Sequence, residues 1–137
     1  VAGIADGLEL GDNAKAGVIS RAMAEIVRLG AALGANPSTF SGLAGLGDLM
    51  ATSYSRLSRN RYFGEQLGKG QRPEAILAGM HNVVEGIDTT KAVLLLAKKL
   101  EVEMPIANHL GRILWDDMKP LDAVQELMSR PATSETK

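Results

Sequence analysis

The 137-residue chain has no cysteine, which removes disulfides, thiolate zinc sites and cysteine nucleophiles. Histidine is nearly absent as well. His81 and His109 stand far apart with no evident third ligand, so a metal site is not expected. Neither sign of charge is in surplus: 15 basic and 16 acidic side chains leave a net charge of −1. A protein that neutralises nucleic-acid phosphates usually carries a basic excess, so that class loses ground. Long apolar runs are missing too. The longest stretch without charge, residues 29–47, contains Asn36, Pro37, Ser38, Thr39 and Ser41. A membrane span needs about 20 mostly apolar residues, and this mixture does not supply them. The opening Val1-Ala2-Gly3-Ile4 has no methionine and no basic-then-apolar signal pattern, and it reads as if entered in the middle of an element. A cytoplasmic setting fits the missing cysteines.

What is present suits one soluble domain of ordinary size. Hydrophobic residues make up 45% and charged residues 23%, which is enough apolar material for a core without staples. The periodicity is helical. Over residues 14–33 the apolar positions Val18, Met23, Ile26, Val27, Leu29 and Leu33 recur every three to four, while Lys15, Arg21, Glu25 and Arg28 fill much of the rest. Asp12 and Asn13 offer acceptors for the helix start, and Gly34 followed by Pro37 marks its end.

A second long helix is predicted over 85–100, with Val93, Leu94, Leu96 and Leu100 facing a core. Pro73, Pro105 and Pro120 open further helices over 73–80, 105–115 and 120–128, because proline fits the first helical turn. Trp115 reads as core. No alternating strand pattern occurs. The fold class is therefore all-α, a compact bundle of six to eight helices with a polar, frayed tail over 131–137.

Several segments carry chemistry in residue type. Gly42-Leu-Ala-Gly45-Leu-Gly47-Asp48 is dense in glycine, but its order is wrong for a dinucleotide fingerprint and no strand precedes it. Gly64-Glu-Gln-Leu-Gly68-Lys69-Gly70 likewise fails as a P-loop. Both read better as helix ends and close helix contacts. Asp48 and Thr52 share one face if Gly47 onward is helical, and Asp48 follows a long uncharged stretch that suggests an apolar setting. The competing reading of Asp48 is a simple helix cap.

Ser55-Arg56-Leu57-Ser58-Arg59-Asn60-Arg61 concentrates guanidinium, hydroxyl and amide donors. If Ser58 starts a helix, free backbone N–H groups beside Arg59 and Asn60 suit a phosphate. A solvated basic loop is the alternative. Glu85 either caps the next helix or reaches a ligand.

Taken in order, Ala2-Gly3-Ile4-Ala5-Asp6-Gly7, Gly11-Asp12-Asn13-Ala14-Lys15-Ala16, Ala44-Gly45-Leu46-Gly47-Asp48-Leu49, Leu57-Ser58-Arg59-Asn60-Arg61 and Val84-Glu85-Gly86 resemble the C-terminal part of bacterial-type NAD(P)-dependent glycerol-3-phosphate dehydrogenases. The likeness continues through Glu103-Met104-Pro105-Ile106 and Leu127-Met128-Ser129-Arg130-Pro131. It implies an oxidoreductase that interconverts dihydroxyacetone phosphate and sn-glycerol 3-phosphate for phospholipid synthesis.

It also implies that residues 1–137 form the helical substrate domain, similar to the C-terminal domain of 6-phosphogluconate dehydrogenase, paired with a Rossmann domain that binds NAD or NADP. Asp48 then sits beside the substrate as a supporting catalytic residue, Thr52 lines the same pocket, and Ser58, Arg59 and Asn60 grip the phosphate. Arg59, Val83 and Glu85 match positions near the cofactor.

The family's general acid/base lysine belongs to a Leu-Lys-Asn-Val stretch just ahead of the Ala-Gly-Ile segment, upstream of Val1. Lys15 does not replace it, and residues 1–137 alone are expected to be inactive. The expected partners are the small phosphate substrate, the Rossmann domain and a second copy in a homodimer, with no nucleic acid and no membrane insertion. Two readings of another class remain: a non-catalytic helical interaction module, and a nucleic-acid module using Arg56, Arg59 and Arg61.

Overall fold

The computed structural model describes residues 1–131; the rest of the tail expected to fray lies outside them. Among the described residues there are eight α-helices and no strand: α1 (Ala2–Gly7), α2 (Asp12–Ala32), α3 (Asp48–Tyr54), α4 (Arg59–Gly68), α5 (Pro73–Ala78), α6 (Glu85–Lys99), α7 (Pro105–Trp115) and α8 (Pro120–Ser129). The all-α expectation and all three proline-opened helices hold, with α5 ending two residues early. Among the described residues no helix is long and apolar enough to cross a membrane.

Two apolar clusters hold the bundle. In one, Ile4 of α1, Phe63 and Leu67 of α4, Ile76 of α5 and Ile113 and Leu114 of α7 are buried together. In the other, Leu29 of α2 meets Ala97 of α6 and Met104, with Val93, Leu96 and Leu100 packed around them as the spacing predicted. Each fully buried Leu, Ile or Phe contributes roughly 1.5–3 kcal/mol.

The closest packing lies between α1 and α4. Gly3 and Gly7 are one turn apart on α1, as are Gly64 and Gly68 on α4. A Cβ on Gly3 would stand 2.0 Å from the Arg61 carbonyl oxygen, and one on Gly7 would stand 2.1 Å from that of Glu65. The two backbones touch, and only glycine permits it. The segment 64–70 is thus a helix contact, ended by Gly70 at φ +94°.

Several sequence expectations fail in α2. Asp12 and Asn13 do not cap it; Gly11 precedes the first turn with no side-chain cap. Ile26 and Leu33 are exposed, whereas Ile19 is 2% exposed. Lys15 and Glu25 are buried, because each reaches partners on other helices. The Glu25 carboxylate accepts hydrogen bonds from the backbone N–H of Ile106 (2.6 Å) and Ala107 (3.2 Å), capping α7 from outside. Burial pushes the Glu25 carboxyl above its ordinary value, more than these bonds and the charges of Arg28 and Arg130 pull it down.

Trp115 is 48% exposed, against the expectation of a core residue, because it ends α7 at the surface. His109 is tied into the bundle: Nδ1 lies 2.7 Å from the Pro105 carbonyl and Nε2 3.0 Å from Glu126.

Candidate functional site

The site is built where α3, α4 and α6 begin or end. Residues 37–41 form a 3-10 turn and residues 43–47 a π turn, which leads into α3. Gly45 makes this possible: a Cβ there would meet the Phe40 carbonyl oxygen at 2.3 Å. The glycine-dense segment is therefore a tight turn, with none of the strand–turn–helix context of a dinucleotide loop. After α3, the Ser55 hydroxyl oxygen accepts from the Leu57 N–H at 3.2 Å and bends the chain. Ser58 then caps α4, its Oγ accepting from the Arg61 N–H at 3.2 Å.

These turns enclose a cleft of about 430 Å³, lined by Thr52, Ser55, Leu57, Ser58, Arg59, Asn60, Val83 and Glu85, with Ala51 at its edge. Six of the seven residues singled out from the sequence thus meet in one place, from three separate segments. The seventh, Asp48, shares the face of Thr52 one turn earlier on α3 but does not line the cleft. It is exposed, which overturns the apolar setting. The uncharged residues before it lie at the surface in the two tight turns, so lack of charge did not mean burial. Nor does Asp48 cap α3; Gly47 stands there and no side chain accepts. Glu85 likewise makes no cap bond, because Val84 precedes α6 and Glu85 is its first residue.

The cleft is rich in free donors. Arg59 is exposed, and none of the described residues pairs with its guanidinium. The first backbone N–H groups of α4 point out of a helix start, where the dipole favours an anion. Asn60 is fixed: its Oδ1 accepts from the Gly86 backbone N–H at 2.9 Å. This cross-link between α4 and α6 was not foreseen; the neighbouring Glu85-Gly86 pair was its only trace in the sequence.

A second polar cluster lies outside the cleft lining and was missed. Lys15 Nζ donates to Asp6 at 2.8 Å and sits 4.0 Å from the Tyr54 ring centroid. Arg61 Nε lies 3.0 Å from the same carboxylate without a directed hydrogen bond, while its guanidinium pairs with Glu65 at 3.2 Å. The cluster ties α1, α2, α3 and α4 together. Residue type alone did not reveal it, since Lys15 falls on what periodicity marks as the wet face of α2.

The fold and cleft define an all-helical domain with a pocket lined by hydrogen-bond donors. Residues 1–125 match the family described as NAD-dependent glycerol-3-phosphate dehydrogenase C-terminus, and the chain belongs to that family. It is 53% identical over 134 residues to glycerol-3-phosphate dehydrogenase (NAD(P)+) 1 of Salinibacter ruber, an alignment covering 98% of this chain and 39% of that protein. It is 55% identical over 129 residues to the corresponding enzyme of Geobacillus thermodenitrificans, covering 94% of this chain and 38% of that one. The crystal structure of glycerol-3-phosphate dehydrogenase from Coxiella burnetii superposes with a TM-score of 0.91 at 43% identity, over 94% of this chain and 40% of its own. The chain thus spans about two fifths of the length of these relatives.

Proposed function

We propose that residues 1–137 are the substrate-holding helical domain of an NAD(P)-dependent glycerol-3-phosphate dehydrogenase, the enzyme that interconverts dihydroxyacetone phosphate and sn-glycerol 3-phosphate. The observation that carries this is the meeting of Thr52, Ser58, Arg59, Asn60 and Glu85 in one cleft at the start of α4. The phosphate sits against the Arg59 guanidinium, the Asn60 amide nitrogen, the Ser58 hydroxyl and the free N–H groups of α4. Held at that end, the triose has its C2 carbon placed for reaction, which supplies the proximity term. Asp48 orders a substrate hydroxyl or the catalytic lysine from one turn above Thr52.

The family resemblance assigns proton delivery at the C2 oxygen to a lysine N-terminal to Val1. NAD or NADP supplies the hydride when bound. Arg59, Glu85 and Val83, which is 67% exposed, fit the edge of such a cofactor at the cleft rim. Its dinucleotide body belongs to a Rossmann domain outside these residues, since no described segment has the required strand and glycine turn. A cytoplasmic, homodimeric enzyme that feeds glycerophospholipid synthesis completes the reading. The absence of cysteine supports the first of these features.

Arg59→Ala tests the anchor in the full-length enzyme. Loss of a charge-assisted contact to phosphate raises KM for dihydroxyacetone phosphate about tenfold to a hundredfold. An unchanged KM would refute the anchor.

A further inference from the structure

Asn60 has two ends, and they are not equivalent. A backbone N–H can only donate, so the atom that meets the Gly86 N–H at 2.9 Å is the carbonyl oxygen Oδ1. The amide nitrogen is thereby committed to the other side, where none of the described residues accepts from it. Gly86 is held in turn. The Thr90 hydroxyl, on a side chain that is 7% exposed, donates to the Gly86 carbonyl oxygen at 2.6 Å.

A Cβ on Gly86 would stand 2.8 Å from Asn60 Oδ1 and 3.1 Å from its Cγ, and its three nearest neighbours are all Asn60 atoms. Gly86 is not a positive-φ residue, so the backbone does not require glycine here. What the missing side chain makes room for first is the Asn60 amide.

We propose that Gly86 is a positioning residue for the phosphate anchor: its bare N–H locks the Asn60 amide so that Nδ2 serves as a directed donor to the substrate phosphate. The inference rests on the phosphate-anchor reading above and adds the device that orients it. Without the lock, an exposed asparagine presents oxygen and nitrogen to the cleft alternately, and the oxygen repels an anion. With it, this donor is fixed before the substrate arrives, and the Asn60 side chain needs no ordering in the binding step.

The test uses the full-length enzyme with Gly86→Ala, Asn60→Ala and the double variant. Gly86→Ala is expected to fold, because alanine suits a helix and the only displaced group is a side-chain end. It should raise KM for dihydroxyacetone phosphate about tenfold, roughly the loss of one hydrogen bond to a charged group, with kcat within about twofold. Inorganic phosphate, used as a competitive inhibitor, should weaken by the same factor. Asn60→Ala should match it, and the double variant should be no worse than Asn60→Ala alone.

If Asn60→Ala leaves KM unchanged, the phosphate-anchor reading of Asn60 fails, and the positioning role falls with it. If Asn60→Ala raises KM and Gly86→Ala does not, the anchor stands and the lock is overturned. Additive effects in the double variant also overturn it, since they would mean that Gly86 acts by another route. Should Gly86→Ala not fold, the wild-type enzyme carries the test. In nitrogen-15 spectra the Asn60 side-chain amide should shift on adding sn-glycerol 3-phosphate while the Gly86 amide stays protected from exchange. A Gly86 amide that exchanges freely would refute the lock.

Discussion

The two ends of α4 are built on opposite principles. Its middle and C-terminal turn are pressed against α1 backbone to backbone, through Gly3, Gly7, Gly64 and Gly68. Its N-terminal turn presents Arg59 and the first free N–H groups to an open cleft. One end has no room for a methyl group, and the other leaves the Arg59 guanidinium and the first backbone N–H groups without a partner among the described residues. Fixing the first is what permits the second, because donors left free at a helix start stay aimed only if the helix cannot rock. Stability and binding are thus distributed along one short helix rather than assigned to different parts of the molecule.

That contrast can be broken most forcefully at the seam. Gly7→Ala places a Cβ 2.1 Å from a backbone oxygen that has no flexible end to give way. Overpacking of this kind costs typically 1–3 kcal/mol, and the backbone neighbour puts this case at about 3 kcal/mol or above. Urea or thermal unfolding of the chain measures it; a loss under about 1 kcal/mol would show that α1 and α4 can slide apart.

The next largest effect lies at Glu25. Glu25→Ala leaves two N–H groups at the start of α7 without their acceptor, a loss of about 2–4 kcal/mol. Glu25→Gln sharpens the point through pH. The Glu25 carboxyl is raised on folding, so the folded chain binds the extra proton. Its contribution to stability is full below the ordinary carboxylate value and is lost as pH rises through the raised one. The melting temperature of the wild type relative to Glu25→Gln should therefore fall over that window. A difference that stays flat with pH would mean that folding does not shift the Glu25 carboxyl.

The smallest stability change is expected at the open end. Asp48 is exposed and makes no cap, so Asp48→Asn should alter unfolding by no more than about 0.5 kcal/mol. In the full-length enzyme the same change should depress kcat, and a wild-type kcat would remove Asp48 from the catalytic machinery.

The parts of this molecule that were legible in the sequence share one property: they depend on neighbours along the chain. Pro73, Pro105 and Pro120 each open a helix because proline is locally suited to the first turn. Ser58 caps α4 through an N–H three residues on, and the donors it exposes could be inferred from that alone. The readings that failed concern what reaches a residue from afar. Lys15 and Glu25 sit on the polar side of the α2 pattern yet are buried, because Asp6 and Tyr54 receive one and the start of α7 receives the other. Ile26 and Leu33 keep the apolar period, yet both stay exposed among the described residues. Asn60 was chosen for its donor capacity, whereas the group that orients it, Gly86, has no side chain to draw attention. The ordered motifs did place the chain in its family, and the cleft joins residues whose meeting no single motif implied.

The Glu25 cap also bears on how the chain is made. Its carboxylate lies on α2, and the amides it holds open α7, Ile106 coming 81 residues after Glu25. As synthesis proceeds, α2 leaves the ribosome carrying an anion meant for a helix that does not yet exist. The cap therefore ties an early helix to a late one, and a chain cut before Ile106 would leave Glu25 without the two donors it accepts from.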